Sequence, residues 1–323
     1  MIIFENTFTL KRKNNSLTDL YDLVRTMRII SMIVASTNKF SELGKKIATN
    51  LNAKFSIIES KIFPDGENYI RFLDNIADEK VIIIQSCFPE QDKKLVELFM
   101  ILDSAKDLKA KEVMAVVPYL AYSRQDKSFL NGEAVSIKTI VKLIEASGAN
   151  AFITVDIHEK RILELFNIIA INMMAMPEIG NYLKMQSLTK PYVIAPDKGA
   201  LYQAEEVAKV LETDYTFFSK KRDRKTGEVQ TSIKDVDVEG RDVVIVDDII
   251  STGGTIANVA RIVKQQGANN IIAACTHPLL LNDARNKLSD AGIDRIIGTD
   301  SIVSDVSSVT CANIIADALR KIS

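Results

Sequence analysis

Val243-Val244-Ile245-Val246-Asp247-Asp248-Ile249-Ile250-Ser251-Thr252-Gly253-Gly254-Thr255 decides the reading of this chain. The four β-branched residues Val243 to Val246 predict a strand buried on both faces, the habit of parallel sheets. Asp247 and Asp248 stand at its carboxyl end, the edge at which open α/β sheets bind ligands. Small and hydroxylated residues follow, and then Ile256, Val259, Ala260 and Val263 recur at helical spacing. Backbone N–H groups at such a helix start, with hydroxyls beside them, hold a phosphate. Two adjacent carboxylates accept hydrogen bonds from a pair of vicinal hydroxyls. The layout fits a ribose 5-phosphate group.

Other phosphate loops fit less well. A Walker loop ends in Gly-Lys-Ser/Thr, and no lysine occurs between Val243 and Thr255. A dinucleotide fingerprint needs three spaced glycines, and only the Gly253-Gly254 pair is present. An ordinary strand-to-helix turn needs glycine and a cap, but not two consecutive aspartates. The string also resembles the phosphoribosyl-diphosphate (PRPP) loop of type I phosphoribosyltransferases and of ribose-phosphate pyrophosphokinases. By itself that loop does not choose between consuming PRPP and making it.

Outward from the loop, strands and helices alternate, the pattern of doubly wound parallel sheets. Strands are expected at 29–35, 55–60, 81–85, 112–117, 152–155, 192–195, 214–218, 243–246, 270–275 and 296–298. Helices are expected at 91–107, 136–146, 177–185, 201–211, 255–266, 283–291 and 311–321, with a further one after Ser36 on Phe40, Leu43, Ile47 and Leu51. The expected fold is α/β, with two doubly wound parallel-sheet domains of phosphoribosyltransferase type. Residues 29–172 form the first, joined by the C-terminal helix within 307–323, and residues 173–306 the second. Residues 1–28 read as an extension, either disordered or lying ahead of a later start at Met27 or Met32. Strands ending in aspartate in both halves, Thr154-Val155-Asp156 and Ile245-Val246-Asp247, hint at a duplicated domain.

At 323 residues with 47% apolar content, the chain has material for two cores. Its net charge of −1 supplies no basic field for nucleic acid or an anionic membrane. No apolar run approaches the roughly 18–20 residues that span a bilayer. Three cysteines, Cys87, Cys275 and Cys311, form no C-x-x-C motif, which favours a reducing cytoplasm. Anionic substrates must then be held by local loops and metal.

Further polar segments sit where plain core strands or loops have no need of them. In Phe63-Pro64-Asp65-Gly66-Glu67 an aromatic followed by alternate acids can stack on a base and accept from its amino group; a solvated turn is as open a reading. In Tyr119 to Lys127, Arg124, Gln125, Asp126 and Lys127 offer two cations and an amide to a polyphosphate, against a solvated charged loop. His158 follows a strand end, where a neutral imidazole can ligate Mg²⁺ or bond a phosphate, whereas His277 at a similar end reads as structural. Asp197, in Ala195-Pro196-Asp197-Lys198-Gly199-Ala200, suits Mg²⁺, which binds through one or two carboxylates plus phosphate oxygens. Ser219 to Val229 is basic, with Lys220, Arg222 and a polar tip, and reads as a solvated hairpin or as a mobile cationic lid.

These motifs occur in this order in ribose-phosphate pyrophosphokinases, and the chain from Ile29 onward resembles that family, its archaeal branch most of all. The resemblance implies transfer of the β,γ-diphosphoryl group of ATP to the 1-hydroxyl of ribose 5-phosphate, giving PRPP and AMP. It implies that Phe63, Asp65 and Glu67 hold adenine from a neighbouring subunit, so that the enzyme is a homo-oligomer with its ATP site at an interface. Arg124, Gln125, Asp126 and Lys127 line that site, His158 and Asp197 bind the Mg²⁺ of Mg-ATP, and Lys220 and Arg222 are catalytic lid cations. Asp247, Asp248, Ser251, Thr252, Gly253, Gly254 and Thr255 hold ribose 5-phosphate. Ile62 and Lys198 depart from the family pattern, which has a basic residue before the first motif and often a small one after Asp197. The first affects packing at the adenine site, the second the hold on pyrophosphate. Two rivals keep the PRPP loop: a phosphoribosyltransferase, which has no need of the Phe63 and Arg124 segments, and an inactive regulatory paralogue, which is free to lose His158, Lys220 and Arg222.

Overall fold

The computed structural model describes residues 32–222, 229–232 and 236–322. The first sheet contains β1 (Met32–Thr37), β2 (Lys54–Ile62), β3 (Asn68–Phe72), β4 (Lys80–Ile84), β5 (Glu112–Val117), β6 (Ala151–Val155) and β7 (Ile169–Met173). Their order is β3-β2-β1-β4-β5-β6-β7. Every pairing is parallel except that of β2 with β3, an antiparallel hairpin at the edge. The β-branched runs of β1 and β4 are buried on both faces, as helices on both sides require. From β1 the chain passes through α1 (Ser41–Leu51) to β2. From β4 it passes through α2 (Gln91–Asp107) to β5, in the opposite direction along the sheet, and α3 (Ser136–Ala146) then leads to β6. The strand order therefore reverses between β1 and β4.

After α4 (Met176–Lys184) comes a second sheet of β8 (Tyr192–Ala195), β9 (Tyr215–Phe217), β12 (Val243–Ile250), β13 (Ile271–Pro278), β14 (Arg295–Thr299) and β15 (Ser307–Val309). It is parallel throughout, in the order β15-β14-β13-β12-β8-β9. A separate two-stranded hairpin, β10 (Ser219–Arg222) with β11 (Val229–Ser232), stands apart from it. Helices α5 (Leu201–Leu211), α6 (Gly254–Gln265) and α7 (Ala284–Asp290) make the crossovers. Here the order reverses between β8 and β12. The last helix, α8 (Ala312–Ile322), returns to the first sheet: Ala312, Ile315, Ala318 and Leu319 share a core with Val34, Ile47, Ile84 and Ile153.

Several elements depart from the sequence reading, among them β15, which it did not expect. β12 runs to Ile250, four residues beyond the expected end, so Asp247 and Asp248 lie within the strand. The reason is its pairing with β13, which continues from Val243 to Ile250 and sets Asp247 against Cys275 and Ile249 against His277. The edge strands β3 and β7 were not expected, because both are only half buried and lack a clean apolar alternation. The extension at 1–28 lies outside the described residues, as do 29–31 of the first expected strand.

The two sheets meet in a buried polar seam. Thr276 Oγ1 donates to Asp156 Oδ2 at 2.5 Å, and the same oxygen accepts from the Ala175 N–H at 3.0 Å. His277 joins Val155 O through Nε2 at 3.0 Å and Ser301 Oγ through Nδ1 at 2.9 Å. Ser86 Oγ donates to Ser301 O at 2.6 Å. Around this seam Ile249, Leu279 and Ile302 pack into the core that also contains Val117, Tyr119 and Leu120. No helix among the described residues is long and apolar enough to cross a membrane.

Candidate functional site

Beyond Ile245 the partners of β12 diverge. Its pairing with β8 stops at Ile245 opposite Ile194, while that with β13 continues. The strand carrying Asp247 and Asp248 is thus held on one side only, and a cleft of about 790 Å³ opens at the reversal point of the second sheet. This is where open α/β sheets place their ligands. From the second half it is lined by Asp197, Asp247, Asp248, Ser251, Thr252, Gly253, Gly254 and Thr255, and from the first half by Arg124 and His158.

The loop after β12 is shaped by one glycine. Gly253 has φ of 71°, and a side chain there would meet Leu288 Cγ at 3.0 Å. That turn starts α6 without a side-chain cap, so its first N–H groups stay open to the cleft. Gly254 has nothing within 4 Å of where a Cβ would stand, which leaves room for an incoming group. After β8, Asp197 Oδ1 accepts from the Gly199 N–H at 2.9 Å, which fixes the carboxylate and leaves its other oxygen without a partner among the described residues.

His158 Nδ1 lies 2.7 Å from Asp248 Oδ2. This hydrogen bond raises the His158 imidazolium above its usual range, against a smaller opposing effect of burial. For Asp248, burial opposes ionisation, but the bonds from His158 and Asp247 outweigh it and hold the carboxyl below its usual range. Asp247 is the converse: burial, and then the charge of Asp248, push it well above the carboxylate range. Of the two, Asp248 therefore gives up its proton more readily than Asp247, and Asp247 Oδ1 accepts from the Asp248 N–H at 2.9 Å.

Other expected site residues stand elsewhere. Phe63, Asp65 and Glu67 form the β2–β3 turn, tied by the Phe63 N–H to Glu67 O at 2.8 Å, and do not line the cleft. Nor do Gln125, Asp126 and Lys127. Gln125 accepts from Ser136 Oγ at 2.6 Å, Asp126 accepts from Arg161 Nε at 2.9 Å, and Lys127 lies 5.1 Å over the Phe129 ring. Lys220 and Arg222 lie on β10, opposite Thr231 and Val229 of β11; the tip between the two strands, 223–228, falls outside the described residues. Two cleft residues went unnoticed in the sequence. Glu159 adjoins His158, and that adjacency was the available signal. Gln203 is an unremarkable amide in the first turn of α5 and gave none.

Comparison with known proteins decides among the readings of this cleft. Residues 32–148 match the N-terminal domain of ribose phosphate pyrophosphokinase, and residues 158–310 match the phosphoribosyl transferase domain. A ribose-phosphate pyrophosphokinase of Sulfolobus acidocaldarius is 40% identical over 292 residues, covering 90% of this chain and 100% of its own. One from Methanothermobacter thermautotrophicus is 42% identical over 279 residues, covering 86% of this chain and 96% of its own. The chain belongs to the ribose-phosphate pyrophosphokinase family. In the crystal structure of the phosphoribosylpyrophosphate synthetase from Mycobacterium smegmatis the same fold recurs, with a TM-score of 0.79 at 25% identity over 90% of this chain and 98% of that one. Within the pyrophosphokinase family the Ser251–Thr255 loop is accompanied by a whole first domain, and here that domain contributes Arg124 to the cleft, while His158 comes from the loop after β6.

Proposed function

We propose that the chain transfers the β,γ-diphosphoryl group of ATP to the 1-hydroxyl of ribose 5-phosphate, releasing PRPP and AMP. The observation that carries this reading is the meeting, in one cleft, of the Asp247–Thr255 segment with Arg124 and His158 of the other half. A phosphoribosyltransferase has no need of the Arg124 segment. The open N–H groups of α6 and the hydroxyls of Ser251, Thr252 and Thr255 receive the 5-phosphate. Asp248, whose ionised form His158 favours, accepts from one ribose hydroxyl, and Asp247 meets its neighbour.

A magnesium ion fits the donors that remain. Among the described residues no three His, Cys, Asp or Glu side chains are grouped to hold a metal alone. That suits an ion that keeps its waters and completes its shell with phosphate oxygens. Asp197 and His158 Nε2 are the groups free to hold it. When bound it neutralises charge on the phosphates. The remaining work is positioning and charge stabilisation: Arg124 meets the triphosphate, and Lys220 with Arg222 on the β10–β11 hairpin balances charge on the transferred group.

The β2–β3 turn supports a homo-oligomer in which Phe63, Asp65 and Glu67 of one subunit complete the ATP site that Arg124, Gln125, Asp126 and Lys127 of its neighbour line. Phe63 is 42% exposed and lies outside its own cleft. The setting is the cytoplasm, where the buried thiols Cys87, Cys275 and Cys311 remain reduced. The deciding experiment incubates the protein with Mg²⁺, ATP and ribose 5-phosphate. AMP and PRPP in equal amounts are expected; ADP, or no nucleotide product, overturns the reading.

A further inference from the structure

Between β13 and α7 the chain reads Leu279-Leu280-Leu281-Asn282-Asp283. Two of these residues, Leu280 and Asn282, adopt the left-handed conformation, with φ of 47° and 53°. A leucine rarely does so, because its Cβ crowds the following carbonyl oxygen, and such strain persists only where surrounding contacts impose it. Here those contacts run to the loop after β12. The Leu280 N–H donates to Ile250 O and the Leu281 N–H to Ser251 O, each at 3.0 Å. One residue further along that loop, Lys287 Nζ of α7 donates to Thr252 O at 3.2 Å.

Three consecutive loop carbonyls are thus held from one side. In a planar trans peptide the C=O and the N–H point in opposite directions. The carbonyls of Ile250, Ser251 and Thr252 face the 280–287 segment, so the N–H groups of Ser251, Thr252 and Gly253, in the same three peptides, face the other way. That way is the cleft: Ser251, Thr252 and Gly253 line it, whereas Leu280, Leu281 and Lys287 do not. The row of N–H groups makes a concave anion receptor that runs into the first turn of α6. Two of the three carbonyls are held by backbone, and the third by a side chain alone. Gly253 and Gly254 follow that third carbonyl, which leaves the Thr252–Gly253 peptide the freest of the three to rotate. Lys287 is placed to prevent it. Its neighbour Leu288 is buried, with Cγ 3.0 Å from where a Cβ on Gly253 would stand, and the ion pair of Arg285 with Asp305 anchors α7 on its other side. Among the described residues the Lys287 ammonium meets no carboxylate, so its charge stands unneutralised behind the loop.

We propose that Lys287 is a positioning residue for ribose 5-phosphate: by holding the Thr252 carbonyl away from the cleft, it keeps the Gly253 N–H aimed at the 5-phosphate. The proposal rests on the assignment of the Asp247–Thr255 segment to that substrate. Lys287 acts through the loop and does not touch the sugar phosphate. Without it the peptide is free to turn its oxygen inward, which sets an acceptor in place of a donor before an anion.

Lys287→Met removes the donor and the charge but retains the apolar stem, and Lys287→Arg supplies a cationic donor again. Calorimetric titration with ribose 5-phosphate, steady-state kinetics and thermal unfolding are measured on the full chain. In Lys287→Met the Kd and KM for ribose 5-phosphate should rise about tenfold, a loss of about 1.4 kcal/mol. The kcat and the KM for ATP should stay within about twofold of the wild type, the mark of binding removed equally from ground and transition states. Lys287→Arg should bring the ribose 5-phosphate constants back toward the wild type. Wild-type constants for ribose 5-phosphate in Lys287→Met overturn the proposal. So does a parallel rise in the KM for ATP with a lowered melting temperature, which a merely structural role would produce. A wild type that binds no ribose 5-phosphate overturns the assigned reaction and this inference with it; a wild type that makes PRPP beside an indistinguishable Lys287→Met overturns the inference alone.

Discussion

His158 Nδ1 and Asp248 Oδ2, 2.7 Å apart, join the loop after β6 to β12 and so connect the two sheets at the floor of the cleft. The same contact favours ionisation of Asp248 over that of Asp247. Its pH behaviour follows from the two shifts. His158, raised by Asp248, contributes stability that is fully present below the ordinary imidazole pKa and lost as pH rises through the raised value. Asp248, lowered, contributes stability present above the ordinary carboxylate value and lost as pH falls through the lowered one. The link is strongest in the mildly acidic range between them. Thermal unfolding of the wild type and His158→Gln should differ most between the ordinary carboxylate and imidazole values and converge as pH rises through the raised His158 value. A constant difference across that range contradicts this account.

Asp156 and His277, in the seam, respond to pH in a different way. Burial lifts Asp156 to about 6 and lowers His277 to about 4. Asp156 takes up its proton more readily folded than unfolded, so its contribution is favourable below the ordinary carboxylate value and lost as pH rises through about 6. His277 is held neutral, so its contribution is present above the ordinary imidazole value and lost as pH falls toward about 4. Asp156→Asn should therefore gain stability relative to the wild type as pH rises through about 6. Denaturant midpoints that keep a fixed offset from pH 5 to 8 rule this out.

The two glycines of the loop should separate folding from binding. Gly253→Ala places a Cβ 3.0 Å from Leu288 Cγ at a positive φ, costing about 1–3 kcal/mol and lowering the melting temperature. Gly254→Ala meets nothing within 4 Å and should leave stability unchanged. In Gly254→Ala the KM for ribose 5-phosphate should rise while the melting temperature stays put. A joint fall in both variants, or in neither, is the result to look for against it.

Lys220→Ala and Arg222→Ala should lower kcat far more than they raise KM, by up to roughly 10³–10⁵ together, or about 4–7 kcal/mol. Steady-state kinetics with ATP and ribose 5-phosphate measures the split. An unchanged kcat in both removes the lid assignment.

Thr276→Val takes away one of the two hydrogen bonds recorded at Asp156 Oδ2 and leaves a buried carboxyl less satisfied. A loss of about 1–3 kcal/mol is expected in denaturant unfolding. Activity at low temperature, where the fold persists, should change little.

The sequence made the sheets legible because their strands are β-branched and buried on both faces; β5 and β8 occupy the ranges read from it. The edge strands were hidden, since Asn68 to Phe72 and Ile169 to Met173 are half exposed and carry mixed side chains. The Asp247–Thr255 loop announced itself through composition alone. Its companions did not, because the meeting of Arg124, His158 and Asp197 in one cleft depends on where β8 parts from β12, a property of pairing rather than of any one segment. Likewise, Arg161 as the partner of Asp126, and Thr276 as that of Asp156, are long-range contacts that no local pattern encodes.

The return of α8 to the first sheet has a consequence for biosynthesis. Val34, Ile84 and Ile153 leave the ribosome early, yet Ala312 to Ile322, which packs on them beside α1, follows the whole second sheet in the chain. Until that helix emerges, part of one face of the first sheet is open to water and to other nascent chains. The second half can form its own cores meanwhile, so vectorial synthesis should complete the later sheet before the earlier one is sealed.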